Sequence, residues 1–460
     1  MSLPLSQVRV DRLSTNLEEL RLLTTSFVNP KNSLRQVCHV TCQDVYKTTR
    51  SLTWVGPGRT ATRWNALGTL GKPPRGMDDH LLLTRLPVHL LASFTLLHTL
   101  DISHTEVEDL LPIALFCSTL HSLNISHTEV MDLGLLAVCG SMMRTLDISW
   151  TDVDNLEPLQ SFTKLEKLNC KSTLVYDVGP LSSCTALQKL NLNFTAVKDL
   201  SLLTSCKALT SFKCAETGVT DLSPAASWLS LEVLVCQRTE VSDLTPLMNC
   251  LGILVVDCSD TSVTDITSLA TCKMIWSLDI FRNSVTDLTF LACLTRLKKL
   301  NVSQTFVTDL APMGTCTTLE EVDCSEMHSP VGNSAQLGSC VMLTKLICCF
   351  SDVSDLTFLA TCRLLRELNC SVTGISDLTC LAFCPLLEKL DCCETGVSDV
   401  SFLAESKTLT DLSCGHTKVS DVSALASCKA LRNLFCLDTD VTDVSALYGI
   451  PGIRIVWWKK

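Results

Sequence analysis

Residues 97–110 read LHTLDISHTEVEDL, and residues 387–400 read LEKLDCCETGVSDV. Both carry leucine at the first and fourth positions, an apolar residue or cysteine at the sixth, threonine at the ninth, valine at the eleventh and aspartate at the thirteenth. Between them the aspartate position recurs as Asp109, Asp132, Asn155, Asp177, Asp199, Asp221, Asp243, Asp265, Asp287, Asp309, Asn333, Asp355, Asp377, Asp399, Asp421 and Asp443, which marks sixteen turns. The step is 22 residues except for two steps of 23 at the start and one of 24 before Asn333, where 327–332 carries an insertion. A self-similar period of this length describes units that cannot bury their apolar face alone and must stack on their neighbours. The 460-residue chain is therefore read as one long repeat array with non-repeating ends.

The set Leu97, Leu100, Ile102, Thr105, repeated late as Leu387, Leu390, Cys392, Thr395, resembles the leucine-rich repeat. The 22-residue length and the segment 243–247 (DLTPL) resemble the short internalin and SDS22-type class, while Cys117, Leu120 and Leu123 resemble the cysteine-containing class. The resemblance implies an α/β solenoid of about 16 repeats, with a parallel β-sheet on the concave side and short turns or 3-10 helices on the convex side. Threonine stands where the family has asparagine, at Thr105, Thr128, Thr151, Thr173, Thr195, Thr217, Thr239, Thr261 and Thr305. A hydroxyl makes fewer hydrogen bonds than a primary amide, so a looser interior ladder is expected. The aspartate column is expected to accept from a backbone N–H two or three residues on and to cap the turn that follows.

The chain has 27 cysteines, and 21 of them keep phase with the repeat. Ten occupy the last apolar strand position and eleven an apolar slot on the return, so they read as small core side chains, all reduced. No Cys-x-x-Cys pair occurs, which disfavours a zinc site. Cys349 and Cys393 follow a strand cysteine and are expected to face solvent. His104 and His127, one turn apart, do not by themselves make a metal site. No set of nucleophile, base and oxyanion donors assembles from the columns and no phosphate-binding glycine loop is present, so neither an enzyme nor a cofactor is expected.

Alternation along each strand puts Asp101, Asp147, Asp257 and Asp279, with asparagines at the same position, on the concave face, and serines such as Ser103 and Ser149 beside them. This reads as an acidic, hydroxyl-bearing trough suited to a basic segment of a protein partner. One residue further out, every second turn supplies Trp150, Phe194, Arg238 and Arg282, and Phe281, Phe306 and Phe350 extend that edge. Aromatic residues and arginine are enriched at binding hot spots, which makes this row the candidate interface.

Mean hydropathy is +0.30 and the formal net charge −11. The absence of a long apolar run argues against a membrane span, and the negative balance against nucleic acid. Residues 1–76 are different: eleven Lys and Arg against four acids give +7, so nucleic acid is considered only for this arm. Val10, Leu13, Leu17 and Leu20 have helical spacing, with Thr15 and Glu18 as a capping box. Residues 55–76 read as an extended arm with Trp54 and Trp64 as anchors, residues 77–96 as a degenerate cap repeat with a strand at 81–86, residues 97–449 as the solenoid, and 450–460 as a terminal strand. A secretory signal is not expected at the start, so the compartment read is the cytoplasm, with a mitochondrial presequence as the alternative. Together these features describe a non-catalytic protein-interaction scaffold within a larger intracellular assembly. The runner-up readings are an F-box-like substrate receptor, resting on Leu3, Pro4, Val37 and Cys38, and a regulatory subunit of a signalling enzyme of phosphatase or cyclase type.

Overall fold

The computed structural model describes residues 8–10, 51–54, 97–114, 119–327 and 332–458. The chain divides into two compact units, Met1–Val219 and Thr220–Lys460. In the first, six three-residue parallel strands follow the repeat: β3 (Thr99–Asp101), β4 (Ser122–Asn124), β5 (Thr145–Asp147), β6 (Lys167–Asn169), β7 (Lys189–Asn191) and β8 (Ser211–Lys213). They pair in equivalent register, with Leu100 opposite Leu123, then Leu146, Leu168, Leu190 and Phe212. The second unit repeats the pattern in eleven strands, from β9 (Val233–Val235) to β19 (Arg454–Val456). Each turn returns through a short helix, a single α-helical turn at Leu111–Ala114 and 3-10 segments such as Ser201–Ser205 and Thr245–Asn249 elsewhere. The leucine-rich repeat solenoid expected from the sequence is the fold that both units adopt.

Three residues per strand suffice because the backbone ladder extends beyond them. Ile102 and His104 donate their N–H groups to Asn124 and Ser126 of the next turn at 2.9 Å, and the same two bonds recur within each unit. Inside, Leu97, Leu100, Ile102, Leu110 and Ile113 of the first turn are all at most 1% exposed. At about 1.5–3 kcal/mol per fully buried aliphatic side chain, these columns are the main source of stability. The aspartate column caps each return: Asp199 accepts from the Ser201 N–H at 2.8 Å and Asp243 from the Thr245 N–H at 2.8 Å, two residues on in both cases. Asn333, beside the insertion, departs from this. It adopts a left-handed backbone, and its amide donates instead to Asp309 at 3.0 Å.

The threonine column bonds within its own turn: Thr105 donates to the Ile102 carbonyl at 2.7 Å and Thr195 to Leu192 at 2.7 Å. Asn283 occupies this column once, 2% exposed, and reaches the preceding turn. Its amide donates to the Cys258 carbonyl at 2.9 Å and its oxygen accepts from the Thr261 N–H at 2.9 Å.

The cysteines pack as the phase of the repeat requires, and 23 of those among the described residues are free thiols. Cys139 is disulfide-bonded, which corrects the expectation that every cysteine is reduced. The return-slot thiols also donate to carbonyls of the preceding turn, Cys206 to Leu181 at 3.4 Å, Cys272 to Leu247 at 3.4 Å and Cys428 to Leu403 at 3.1 Å. Burial pushes Cys184 and Cys250 up to about 11, and Cys214 up to about 12.

At the start, β1 (Val8–Val10) pairs antiparallel with β2 (Ser51–Trp54), and β2 lies parallel to β3 with Leu52 opposite Leu100. The helix expected through Val10 is thus corrected at that residue: a Val-Arg-Val stretch favours a strand, and β2 offers it an edge. Leu13, Leu17 and Leu20 lie outside the described residues, as do the 55–76 arm with Trp64 and the strand expected at 81–86. The strand that borders β3 is β2, which carries Trp54. At the other end β19 runs parallel to β18 (Asn433–Phe435), and the Trp457 indole donates to the Val441 carbonyl at 3.0 Å. Among the described residues no helix is long and apolar enough to cross a membrane.

Two outcomes follow. Asn283→Ala leaves the half-buried Thr261 N–H without its partner, while the Cys258 carbonyl keeps the Thr261 hydroxyl at 2.8 Å, and should cost about 1–3 kcal/mol, read from the chemical-unfolding midpoint, whereas Asn283→Thr should cost less. Maleimide labelling of the native chain should leave the strand and return-slot thiols unmodified until denaturant is added. Cys293 should react ahead of Cys349 and Cys393, whose thiols are raised by burial and by Asp323 and Asp391.

Candidate protein-binding face

Each strand presents two side chains to the concave side, its first and third residues, around a buried central one. The third position holds Asp101, Asp147, Asp257 and Asp279 as expected, half-buried, but these carboxylates are already engaged. Each accepts from the backbone N–H two residues on, Asp101 from Ser103 at 3.0 Å and Asp279 from Phe281 at 2.9 Å. Asp147 takes a further bond from the Asn169 amide at 3.0 Å, and Asp279 one from Asn301 at 3.3 Å. The serines do not line the trough. Ser103, Ser126, Ser149, Ser259, Ser303, Ser325 and Ser371 are buried, and several turn their hydroxyl back onto the strand, as Ser149 does to Asp147 at 2.6 Å. A small side chain at the bend after the strand is covered by the next turn, which corrects its reading as a presented hydroxyl.

The first strand position was not singled out from the sequence, and it changes the character of the face. Over six consecutive turns of the second unit it reads Lys299, Glu321, Lys345, Glu367, Lys389, Asp411, alternating in sign. Lys299 pairs with Glu321 at 2.8 Å and Lys345 with Glu367 at 3.0 Å. The preceding residue forms a second row, Lys298 with Glu320 at 2.7 Å and Arg366 with Glu388, matched in the first unit by Arg144 with Glu166. These pairs are 22 residues apart, so the signal lay in the repeat period. The trough is consequently mixed in charge.

The outer row falls in a single backbone column. His104, His127, Trp150, Ser172, Phe194, Glu216, Arg238, Asp260, Arg282, Gln304, Glu326, Phe350, Val372, Glu394, His416 and Asp438 all have φ between 50° and 60°, one per turn. A left-handed conformation costs a non-glycine residue roughly 1–2 kcal/mol. It persists here because the N–H of nearly every one of these residues is bonded to the next turn, Trp150 to the Lys171 carbonyl and Phe194 to Ala215, both at 2.8 Å. The bend turns the side chain outward, so that Trp150 is 50% and Phe194 43% exposed.

Within the first unit this edge is a stack. The His104 and His127 rings lie 4.2 Å apart, His127 and Trp150 5.4 Å apart, and the Lys171 ammonium sits 5.7 Å from the Trp150 ring and 5.3 Å from Phe194. In the second unit Arg238 and Arg282 flank Asp260, each 3.7 Å from its carboxylate. Phe350 lies in the same column at 56% exposure. Phe281 stands one residue inside it, half-buried, and Phe306 two residues beyond it, 45% exposed, so the three do not form one edge. No group of three or more His, Cys, Asp or Glu able to hold a metal occurs among the described residues.

No protein-family model and no curated protein matches the sequence. Solved structures do match in fold. A leucine-rich repeat protein of Leptospira interrogans superposes with a TM-score of 0.71 at 16% identity over 78% of this chain and 95% of that one. The functional domain of InlJ from Listeria monocytogenes, which includes a cysteine ladder, gives 0.63 at 20% identity over 75% and 74%. An internalin, InlF, of Listeria monocytogenes gives 0.59 at 24% identity over 62% and 84%. The chain has the leucine-rich repeat fold that these structures share.

The carboxylates fall into two groups with opposite pH behaviour. Asp199, Asp265 and Asp421 on the returns are held below the usual carboxylate range by the N–H and hydroxyl of the residue two on, so their contribution is present at neutral pH and fades on acidification. Asp279 is raised, first by burial and then by Asp257 and Asp323 on the same column, against the bond from Phe281. Its contribution is intact below the unfolded carboxylate value and declines as pH rises through the folded one. Asp279→Asn should therefore raise the melting temperature at pH 7 and leave it unchanged near pH 3, a comparison that thermal unfolding at the two pH values makes directly.

Proposed function

We propose that this chain is a non-catalytic scaffold that binds a protein partner through the concave face and its outer edge, within a larger assembly. The observation that carries the reading is the left-handed column. It fixes the backbone of one residue per turn while turning out Trp150 and Phe194 in the first unit and Arg238 and Arg282 in the second. Residues of these types, rigidly based and exposed, are the ones that dominate binding energy at interfaces. Asp257, Asp279 and Asp323 offer a basic segment a place in the second unit, since a cation there relieves the mutual repulsion that helps raise Asp279. The basic 1–76 segment is proposed as a second, separable binding element. Twenty-three free cysteines among the described residues, most of them buried, favour a reducing compartment such as the cytoplasm.

The test is affinity capture from a cell extract by the full chain, followed by mass spectrometry, repeated with Trp150→Ala, Phe194→Ala, Arg238→Ala and Arg282→Ala. Loss of an anchor typically costs about 2 kcal/mol, near thirtyfold in affinity, with thermal unfolding unchanged. Retained capture in all four variants would remove the interface from this edge. A ubiquitin-ligase adaptor or a phosphatase subunit among the captured proteins would select one of the two more specific roles.

A further inference from the structure

The concave face over β6, β7 and β8 differs in charge from the rest of both units. The first and third strand residues and the bend residue two positions on read Lys167, Asn169, Lys171 in the first turn, Lys189, Asn191, Asn193 in the second, and Ser211, Lys213 and the buried Ala215 in the third. These nine positions hold four lysines and no carboxylate. Elsewhere a lysine on this face meets an acid in the next turn, as Lys299 and Lys345 do. Here Lys167 stands directly opposite Lys189 in the strand register, and among the described residues none of the four lysines has an ion-pair partner. Like charges facing one another across paired strands destabilise the sheet, and among the described residues no carboxylate forms an ion pair with either lysine to offset this.

Lys171 is placed at the outer border of this patch. Its ammonium lies between the exposed faces of Trp150 and Phe194, an arrangement that a ring quadrupole favours and that leaves the charge directed along the edge. The patch is thus a basic floor bounded on one side by two aromatic rings.

We propose that this strip is the docking site for an acidic segment of a protein partner, a proposal that rests on the scaffold reading above and assigns its partner chemistry in the first unit. Adjacent strands lie about 4.8 Å apart, and alternate side chains of an extended segment repeat at roughly 6.8 Å. Two or three carboxylates of such a segment would reach Lys167, Lys189 and Lys213, while an apolar side chain would meet Trp150 or Phe194. The floor is three strands wide and without arginine, in a chain of net charge −11, which suits a few carboxylates better than a nucleic-acid backbone that gains affinity by neutralising many phosphates.

The test uses the full chain and three fluorescein-labelled probes: a Glu/Asp-rich decapeptide containing one Trp, a Lys-rich decapeptide and a single-stranded DNA decamer. Anisotropy should show the acidic peptide binding in preference to both others. The double variant Lys167→Glu, Lys189→Glu should weaken it about tenfold or more, whereas Lys207→Glu, Lys273→Glu, with the same change in net charge on exposed positions away from the strip, should shift it less than about twofold. Carbodiimide coupling should map to Lys167, Lys189 or Lys213. If the double Glu variant fails to fold by circular dichroism, Lys167→Gln, Lys189→Gln replaces it with the same expected direction. Wild-type binding carried over unchanged into the folded strip variant would assign the anion site to the basic 1–76 segment and overturn the proposal, as would tighter binding of the DNA or no binding of the acidic peptide. Partner capture that survives these results would leave the scaffold reading standing without this assignment.

Discussion

The structure depends on the backbone hydrogen bonds that join each turn to the next. Once the Ile102 and His104 N–H groups bond to Asn124 and Ser126, and their counterparts do the same along each unit, every residue is fixed opposite its equivalent one repeat on, 22 to 24 positions away, and each position of the repeat becomes a column. A side chain in such an array meets its own kind above and below. Within each unit leucine and valine columns then fuse into a continuous core, and cysteine serves in place of a larger aliphatic residue because a buried thiol packs as an apolar group and can still donate weakly to a carbonyl of the preceding turn.

The same constraint is unfavourable for charge. A column of aspartates half-buried on the concave face sets like charges one strand spacing apart, and the chain answers it in two ways. It interposes asparagine, whose amide donates to the carboxylate of the neighbouring turn, as Asn169 does to Asp147. It also alternates lysine with glutamate in the first strand position, so that the register itself creates the pairs Lys299–Glu321 and Lys345–Glu367. Pairs of this kind, about a third to a half exposed, are worth little individually. Their consequence is local neutrality, and against it the uncompensated lysines of β6 to β8 stand out.

How much of this was legible in the sequence follows from whether a feature is periodic and whether it is local. The repeat, the aspartate caps at positions such as Asp199 and Asp243, and the burial of the strand and return cysteines are all written in the period. The ion pairs were written there too, at a separation of 22, but become visible only when residues are compared across turns instead of along the strand. Other features have no sequence signal. The left-handed column carries Trp150, Phe194 and Val372 with no glycine to mark it, because the hydrogen bond to the next turn and not the residue type imposes the conformation. The concave serines look like presented hydroxyls in a strand alternation, yet Ser303 is 4% exposed because the bend after the strand folds it under the following turn. Asn283 shows a single family-like amide among threonines, and its role in joining two turns appears only with its partners Cys258 and Thr261. The segments β1 and β2 do not repeat, and Val10 could be counted into a helical pattern as easily as into the strand it forms.

The division of labour within a turn suggests why recognition falls to the left-handed column. Threonine, valine, aspartate and leucine each have a contact that only their own chemistry makes: a carbonyl three residues back, the core, the cap of the return. The left-handed residue has no such obligation, since its structural bond is made by the backbone N–H whatever the side chain. Across sixteen turns it is accordingly histidine, tryptophan, serine, phenylalanine, arginine, valine, glutamine, glutamate or aspartate. A position held rigidly by its neighbours, turned to solvent and free of packing constraints can vary at little structural cost. Stacking on the adjacent turns, as from His104 through Trp150, then orders those exposed side chains in advance, which lowers the entropy lost when a partner covers them.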